Sequence, residues 1–205
     1  MEISALPLFR GIPAEELPAL LVQASAKERR FQKTELLLRR GDVTGRLGLV
    51  LEGSVHIIRE DFWGNRSIVG LAGPGEVFAE SYALAGEPLS VSVLAASDGA
   101  ALFLDAHRLA DARLTDNLLS LLAKKNLMLT GKMRHMACRT TRDKLLSYLS
   151  AQARRQGSPR FQIPFDRQQL ADYLGVDRSA MSAVLCRMRD EGILEFHRNS
   201  FYLKL

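Results

Sequence analysis

The period of the hydrophobic positions changes along the chain. Over roughly the first hundred residues apolar side chains alternate in short runs cut by tight turns, which is the period of strands. Phe31 to Arg40 reads as a strand ending at the Arg40-Gly41-Asp42 turn. Leu47 to Leu51 is a short apolar strand, and Ser54 to Arg59 follows the Glu52-Gly53 turn with Val55 and Ile57 alternating against polar partners. Trp63-Gly64-Asn65 closes the next turn before Ile68 to Leu71, and Gly73-Pro74-Gly75 closes another. Leu89 to Leu94 and Ala100 to Leu104 complete a set whose even spacing predicts a β-barrel or roll. Ahead of it, Leu6 to Ala24 predicts one or two short helices that pack through Phe9, Ile12, Leu17 and Leu20.

After residue 165 the period is first helical and then alternating again. Asp166 and Gln169 have the form of a capping box, so a helix starts at Arg167. Leu170, Tyr173 and Leu174 give it an apolar stripe, and Gly175 supplies the backbone freedom of a sharp turn. Asp177 then caps a second helix with Met181, Val184, Leu185 and Met188 on one face. The opposite face carries Arg178, Ser179, Ser182, Ala183 and Cys186. Short polar side chains with a cation on the first turn suit a helix pressed against base edges in a major groove. Two capped helices around a glycine also describe an ordinary helical hairpin, so the next segment matters. Ile193, Leu194 and Phe196 precede the polar turn His197-Arg198-Asn199-Ser200, and Phe201, Leu203 and Leu205 alternate with Tyr202 and Lys204. A hairpin directly after such a helix is the wing of a winged helix-turn-helix. Phe161 and Ile163 alternate as a further short strand would.

Between these regions, Leu114 to Met136 contains no Pro and a single Gly. Leu118, Leu122, Leu129, Met133 and Met136 fall along one face, with Leu121 and Met128 beside it. A near-heptad stripe of this length is buried against its own domain or paired with a second copy. DNA half-sites are read by dimers, which favours pairing and makes those five residues the expected interface. Lys125 and Asn126 interrupt the stripe, and a polar residue there fixes register at some cost in stability.

Charge changes the picture in one respect. The last 67 residues, from Arg139, hold twelve Lys or Arg against seven Asp or Glu, while the rest of the chain holds sixteen of each. The whole positive excess therefore lies where phosphates would be met, which makes double-stranded DNA the expected partner. The 205 residues suit two domains. No stretch approaches the roughly 20 apolar residues that span a bilayer, and two cysteines make no disulfide framework, so the reducing cytoplasm is the expected compartment. Cys138 and Cys186 read as small incidental thiols. His56, His107, His135 and His197 are isolated, no Cys/His cluster has zinc spacing, and no Ser, His and Asp or paired carboxylates sit in a catalytic context. Neither an enzyme, a metal site nor a cofactor is expected.

A β-roll, a long helix and a winged helix-turn-helix in that order resemble the Crp–Fnr family from about Leu8 to Leu205. The strongest local marks are LGLVLEGSVHII (47–58), GPGEVFAESYAL (73–84) and the helix-turn-helix itself. The resemblance implies an α+β protein: a cyclic-nucleotide-binding-domain-like β-roll over residues 1–110, a dimerisation helix over 111–138 and a winged helix-turn-helix over 139–205. It implies a cytoplasmic transcription regulator that binds an effector in the roll and DNA as a homodimer, with RNA polymerase as a further partner. Matched to the family pattern, Arg178, Ser179, Ser182 and Ala183 take the base-reading positions and Gln168 a phosphate position, with Arg198 in the turn of the wing. Cyclic-AMP-binding members carry Glu and a second Arg where this chain has Ser179 and Ala183. The iron–sulfur members use four cysteines, which this chain lacks.

The effector region departs further from the family. Cyclic-nucleotide binders have a Gly-Glu pair and then an Arg-Ser pair whose Arg holds the cyclic phosphate. Here the positions read Ala79-Glu80, followed by Ser81, and Leu89-Ser90; the polar residues that meet adenine appear as Met128 and Leu129. A phosphate against Leu89 forfeits a charge-assisted bidentate contact. The expected effector is an apolar or aromatic small molecule, and the alternative is a roll without a ligand. A second functional class, a regulatory module whose winged helix contacts protein, is set against DNA binding by the basic C-terminal region.

Overall fold

The computed structural model of the chain describes residues 3–60 and 66–204. The turn predicted at Trp63-Gly64-Asn65 and the final Leu205 lie outside the described residues. The chain divides into two compact units, Met1–Leu122 and Ala123–Leu205.

The first unit opens with helical turns at Ile3–Ala5 and Pro7–Phe9 and the short helix α1, Leu17–Gln23. Eight strands follow: β1 Lys27–Phe31, β2 Leu36–Leu38, β3 Arg46–Glu52, β4 Val55–Glu60, β5 Arg66–Ala72, β6 Val77–Phe78, β7 Ser92–Ala95 and β8 Gly99–Asp105, with helix α2, Glu80–Ala85, between β6 and β7. They form two antiparallel sheets in the orders β1-β8-β3-β6 and β2-β7-β4-β5. Strand β8 explains its unbroken apolar run: Leu102 and Leu104 face a core shared with the N-terminal helices, whereas Ala101 and Phe103 face a second core with Val50, Val55, Phe78 and Val93. Gly48 is required by this packing, because a Cβ there would stand 2.1 Å from Cζ of Phe78.

One expected strand is broken. The segment 31–40 is not continuous: β1 ends at Phe31, Glu35 accepts from the Gln32 amide at 2.9 Å, and Thr34 adopts φ +69° before β2 begins. A carboxylate-stabilised turn takes the place of strand there. Strand β1 starts earlier than apolar alternation indicated, since Lys27 to Arg30 are exposed and owe their extended form to pairing with β8.

The long helix α3, Ala112–Met136, contributes its first half to the first unit. Leu118, expected on the interface, is 4% exposed and lies with Leu114 in the core of the roll. Its area is spent on its own domain and is lost to any partner. Leu122 is partly buried against the same core, while Leu119 on the neighbouring face is exposed.

The second unit contains the rest of α3, then α4 Thr141–Gln156, β9 Arg160–Gln162, α5 Arg167–Leu174, α6 Arg178–Asp190, β10 Leu194–His197 and β11 Ser200–Leu203. Leu145, Tyr148, Leu149, Leu170, Leu174, Met181, Leu185, Met188 and Leu194 meet in its core. Helix α4 had no counterpart among the expected elements. Thr140 caps it by accepting from the Asp143 amide at 3.1 Å. The three-stranded sheet has the order β10-β11-β9, with β11 antiparallel to both neighbours. The fold is thus α+β: an N-terminal roll, a long helix and a helix-turn-helix with a small wing sheet.

Candidate nucleic-acid interface and effector site

The helix-turn-helix of the second unit is built from its caps inward. Both halves of the capping box form: the Gln169 amide donates to Asp166 at 2.8 Å, and the Asp166 amide donates to Gln169 Oε1 at 2.9 Å. Gly175 at φ +59° ends α5, and Asp177 accepts from the Ala180 amide at 2.8 Å to start α6. Met181, Leu185 and Met188 are fully buried, which turns the opposite face of α6 outward. Arg178, Ser179, Ala183 and Cys186 are exposed on that face. Ser182, half-buried, donates to the Arg178 carbonyl at 2.9 Å, so its hydroxyl is already engaged by the helix. The Arg178 guanidinium makes no hydrogen bond or ion pair among the described residues, which leaves its donors available to a base edge. Gln168 is exposed and donates to Asp172 at 2.9 Å. Arg198 is exposed in the two-residue turn between β10 and β11.

Arg167 was not singled out by the sequence. Its guanidinium lies 4.8 Å from the Phe196 ring centroid and 5.2 Å from that of Phe201, half-buried, with no acidic partner among the described residues. Burial holds its pKa below the ordinary arginine value. A partly desolvated cation without an anion is electrostatically incomplete, and a DNA phosphate would complete it. The sequence signal was an Arg at the first turn of a helix followed by two wing aromatics, and only tertiary packing joins them.

In the first unit, the residues expected at the effector site include Ala79, Glu80 and Ser81 at the start of α2, and Ser90, which meets Tyr82 of that helix. Ala79 precedes the helix in the left-handed region at φ +59°, where the family pattern has Gly. Glu80 is 5% exposed and Leu89 2%, whereas Ser81 and Ser90 are exposed. The Ser90 hydroxyl already has a partner in Tyr82 Oη at 2.5 Å. Arg46, a cation at the start of β3, is committed to the Ser25 carbonyl at 3.1 Å. Met128 and Leu129 belong to the second unit and are exposed on α3.

Among the described residues no helix is long and apolar enough to cross a membrane, and no group of three or more His, Cys, Asp or Glu has the arrangement of a metal site. The cyclic nucleotide-binding domain description matches residues 28–116, and the Crp-like helix-turn-helix domain description matches residues 143–204. The chain is 29% identical over 194 residues to a cyclic AMP receptor protein of Thermus thermophilus, covering 92% of this chain and 88% of the relative. Among solved structures it is similar to the Thermus thermophilus catabolite activator protein, with 26% identity, 97% and 93% of the two chains covered and a TM-score of 0.51. It shares its fold with the c-di-GMP-responsive regulator CLP of Xanthomonas campestris at 22% identity, with 94% and 100% covered and a TM-score of 0.62. A roll followed by a capped, basic winged helix, each matched by its own domain description, leaves one assignment: the chain belongs to the Crp–Fnr family of DNA-binding transcription regulators with an effector domain, and it is not an enzyme.

Proposed function

We propose that this regulator works as a homodimer on two-fold operators and answers to a small molecule other than a cyclic nucleotide. The dimer reading is supported by apolar side chains on α3 that stay exposed among the described residues: Leu129 is 62% exposed and Met133 71%, with Leu119 and Met136 also exposed. Leu119, Leu122, Asn126, Leu129, Met133 and Met136 follow each other at alternate steps of three and four, the spacing of a two-helix seam. Arg178 reads a base in each half-site, Arg167 and Gln168 hold the flanking backbone, and a regulator so placed acts in the cytoplasm beside RNA polymerase.

The effector reading rests on one observation, the buried Leu89 at the position from which the family's arginine holds a cyclic phosphate. Arg46 is engaged elsewhere, and Ser90 is already bonded to Tyr82. Hydrogen bonds to charged groups contribute about 1.5–3 kcal/mol each, and the absent arginine would have made two. At about 1.4 kcal/mol per tenfold, cyclic nucleotides lose one to several orders of magnitude in affinity. The site suits an apolar or aromatic molecule instead. Calorimetric titration with cyclic AMP and cyclic GMP is expected to show no saturable binding at micromolar concentration. Micromolar binding would overturn the proposal, and mass spectrometry of small molecules retained by the native protein identifies the effector.

A further inference from the structure

We propose that Arg198, at the tip of the wing, reads the width of the minor groove beside each half-site, so that the chain selects A·T-rich flanking sequence by shape. The inference rests on the DNA-binding reading above and adds a determinant of specificity outside the major groove.

The first observation is backbone conformation. Arg198 adopts φ +52°, a region that L residues with long side chains rarely visit and that Gly or Asn ordinarily fills in a two-residue hairpin turn. Asn199, a residue suited to that conformation, stands next in the chain. An arginine held in an unfavourable conformation on an exposed turn marks a position whose side chain has a task.

The second observation is that the tip cannot slide. The Ile163 amide donates to the Asn199 carbonyl at 2.9 Å, and Asn199 Nδ2 donates back to the Ile163 carbonyl at 3.2 Å. His197 and Ser200 close the turn as a paired couple, and Phe201 behind them is stacked on Phe161 with ring centroids 6.1 Å apart. The arginine is therefore carried on a fixed base, and little ordering remains to be done on binding.

The third observation is charge commitment. Of the three basic residues on and just beyond this sheet, Arg160 lies 4.6 Å over the Tyr202 ring and Lys204 is ion-paired to Glu195 at 2.7 Å. Among the described residues Arg198 alone of the three makes no hydrogen bond, ion pair or ring contact. With about 3.3 Å per residue, four-residue strands carry the tip about 13 Å, close to the width of a major groove. A hairpin leaving the end of a helix seated in one groove thus delivers its tip to the adjoining minor groove. There the negative potential deepens as the groove narrows over A·T runs, and a planar, weakly hydrated guanidinium enters at low desolvation cost.

The test uses full-length protein and duplexes recovered from a library with a random core, rebuilt with A-tract, G·C or inosine·C flanks. Inosine removes the guanine amino group from the minor groove and leaves the major-groove edge unchanged. Wild-type protein is expected to prefer A-tract over G·C flanks on the order of tenfold, one good contact's worth, with inosine restoring most of the loss. Arg198→Ala and Arg198→Gly are expected to bind all flanks alike, and circular dichroism checks that both fold. Equal weakening on every flank in Arg198→Ala would assign the residue to phosphate alone and overturn the inference, as would a wild type indifferent to its flanks. Wild-type protein that recovers no duplex from the library would instead bring down the DNA-binding reading beneath it.

Discussion

At the scale of single residues, Arg178 is the side chain most directly exposed to a sequence test. It stands on the first turn of α6 with its guanidinium uncommitted, and it is long enough to place two donors on guanine O6 and N7. Arg178→Ala is expected to cost roughly 1–3 kcal/mol on the selected operator and to relax preference at one base position. Equal losses on specific and random duplexes would show that it reads no base. His135 offers a different test. It is buried near the end of α3, with Nδ1 2.8 Å from Ser147 Oγ and its ring against Tyr148 and Tyr173. Burial first, and the Arg134 charge second, hold its pKa below the ordinary histidine value. The other charges at hand are cations: Lys132 lies over the Tyr173 ring, and Lys144 donates to the Leu174 carbonyl. The folded chain therefore takes up this proton less readily than the unfolded one. The neutral imidazole costs nothing above the unfolded pKa of about 6.5, and stability is lost as pH falls from there toward the lowered folded value. Thermal midpoints should decline below about pH 6.5, and His135→Gln should flatten that limb. An unchanged limb in the variant would assign the acid sensitivity to carboxylates.

At the scale of elements, α3 carries the sharpest expectation. Leu129 is exposed in the single chain, so a charge there costs the fold nothing. Against a partner helix the same charge would be buried unpaired, which is far costlier than a lost methylene. Leu129→Glu is expected to leave the thermal midpoint of the monomer intact, give monomers in sedimentation and abolish tight binding to a two-fold operator. A dimer at the wild-type concentration would place the interface elsewhere. Helices α5 and α6 were legible in the sequence because Asp166, Gln169 and Asp177 act within one turn of themselves. Helix α4 carried comparable signals, Thr140 with Asp143 and Leu145, Tyr148 and Leu149 at helical spacing, so it too was legible in the sequence. Strand β1 was illegible for a physical reason: Lys27 to Arg30 bury nothing, and only β8, some seventy residues on, makes them a strand. Leu118 and Leu119 differ by one position on α3, too little for a periodic pattern to tell core from seam. The Tyr82–Ser90 bond and the Arg167–Phe196 contact were equally beyond reach, because each depends on a loop path that no local pattern encodes.

At the scale of the whole molecule, charge placement and assembly combine into one measurable quantity. The last third of the chain carries an excess of five positive charges, and the remainder is balanced. Binding to duplex DNA releases counterions in proportion to the phosphates neutralised, with log affinity falling against log salt at roughly 0.9 per phosphate. Arg167 at the backbone and Arg198 in the minor groove each bring a cation into the counterion atmosphere in each subunit, so a dimer displaces about twice as many counterions as a single chain. Wild-type protein on a two-fold operator is expected to show a salt slope near −4 or steeper, and Leu129→Glu on a half-site about half of that. Changes of effector leave the slope nearly alone if they act on the population of the binding-competent form, because they alter how many molecules bind and not how many phosphates each one meets. Equal slopes for wild type and the monomeric variant would mean that one subunit carries the whole contact, and the two-fold reading of the operator would fall with it.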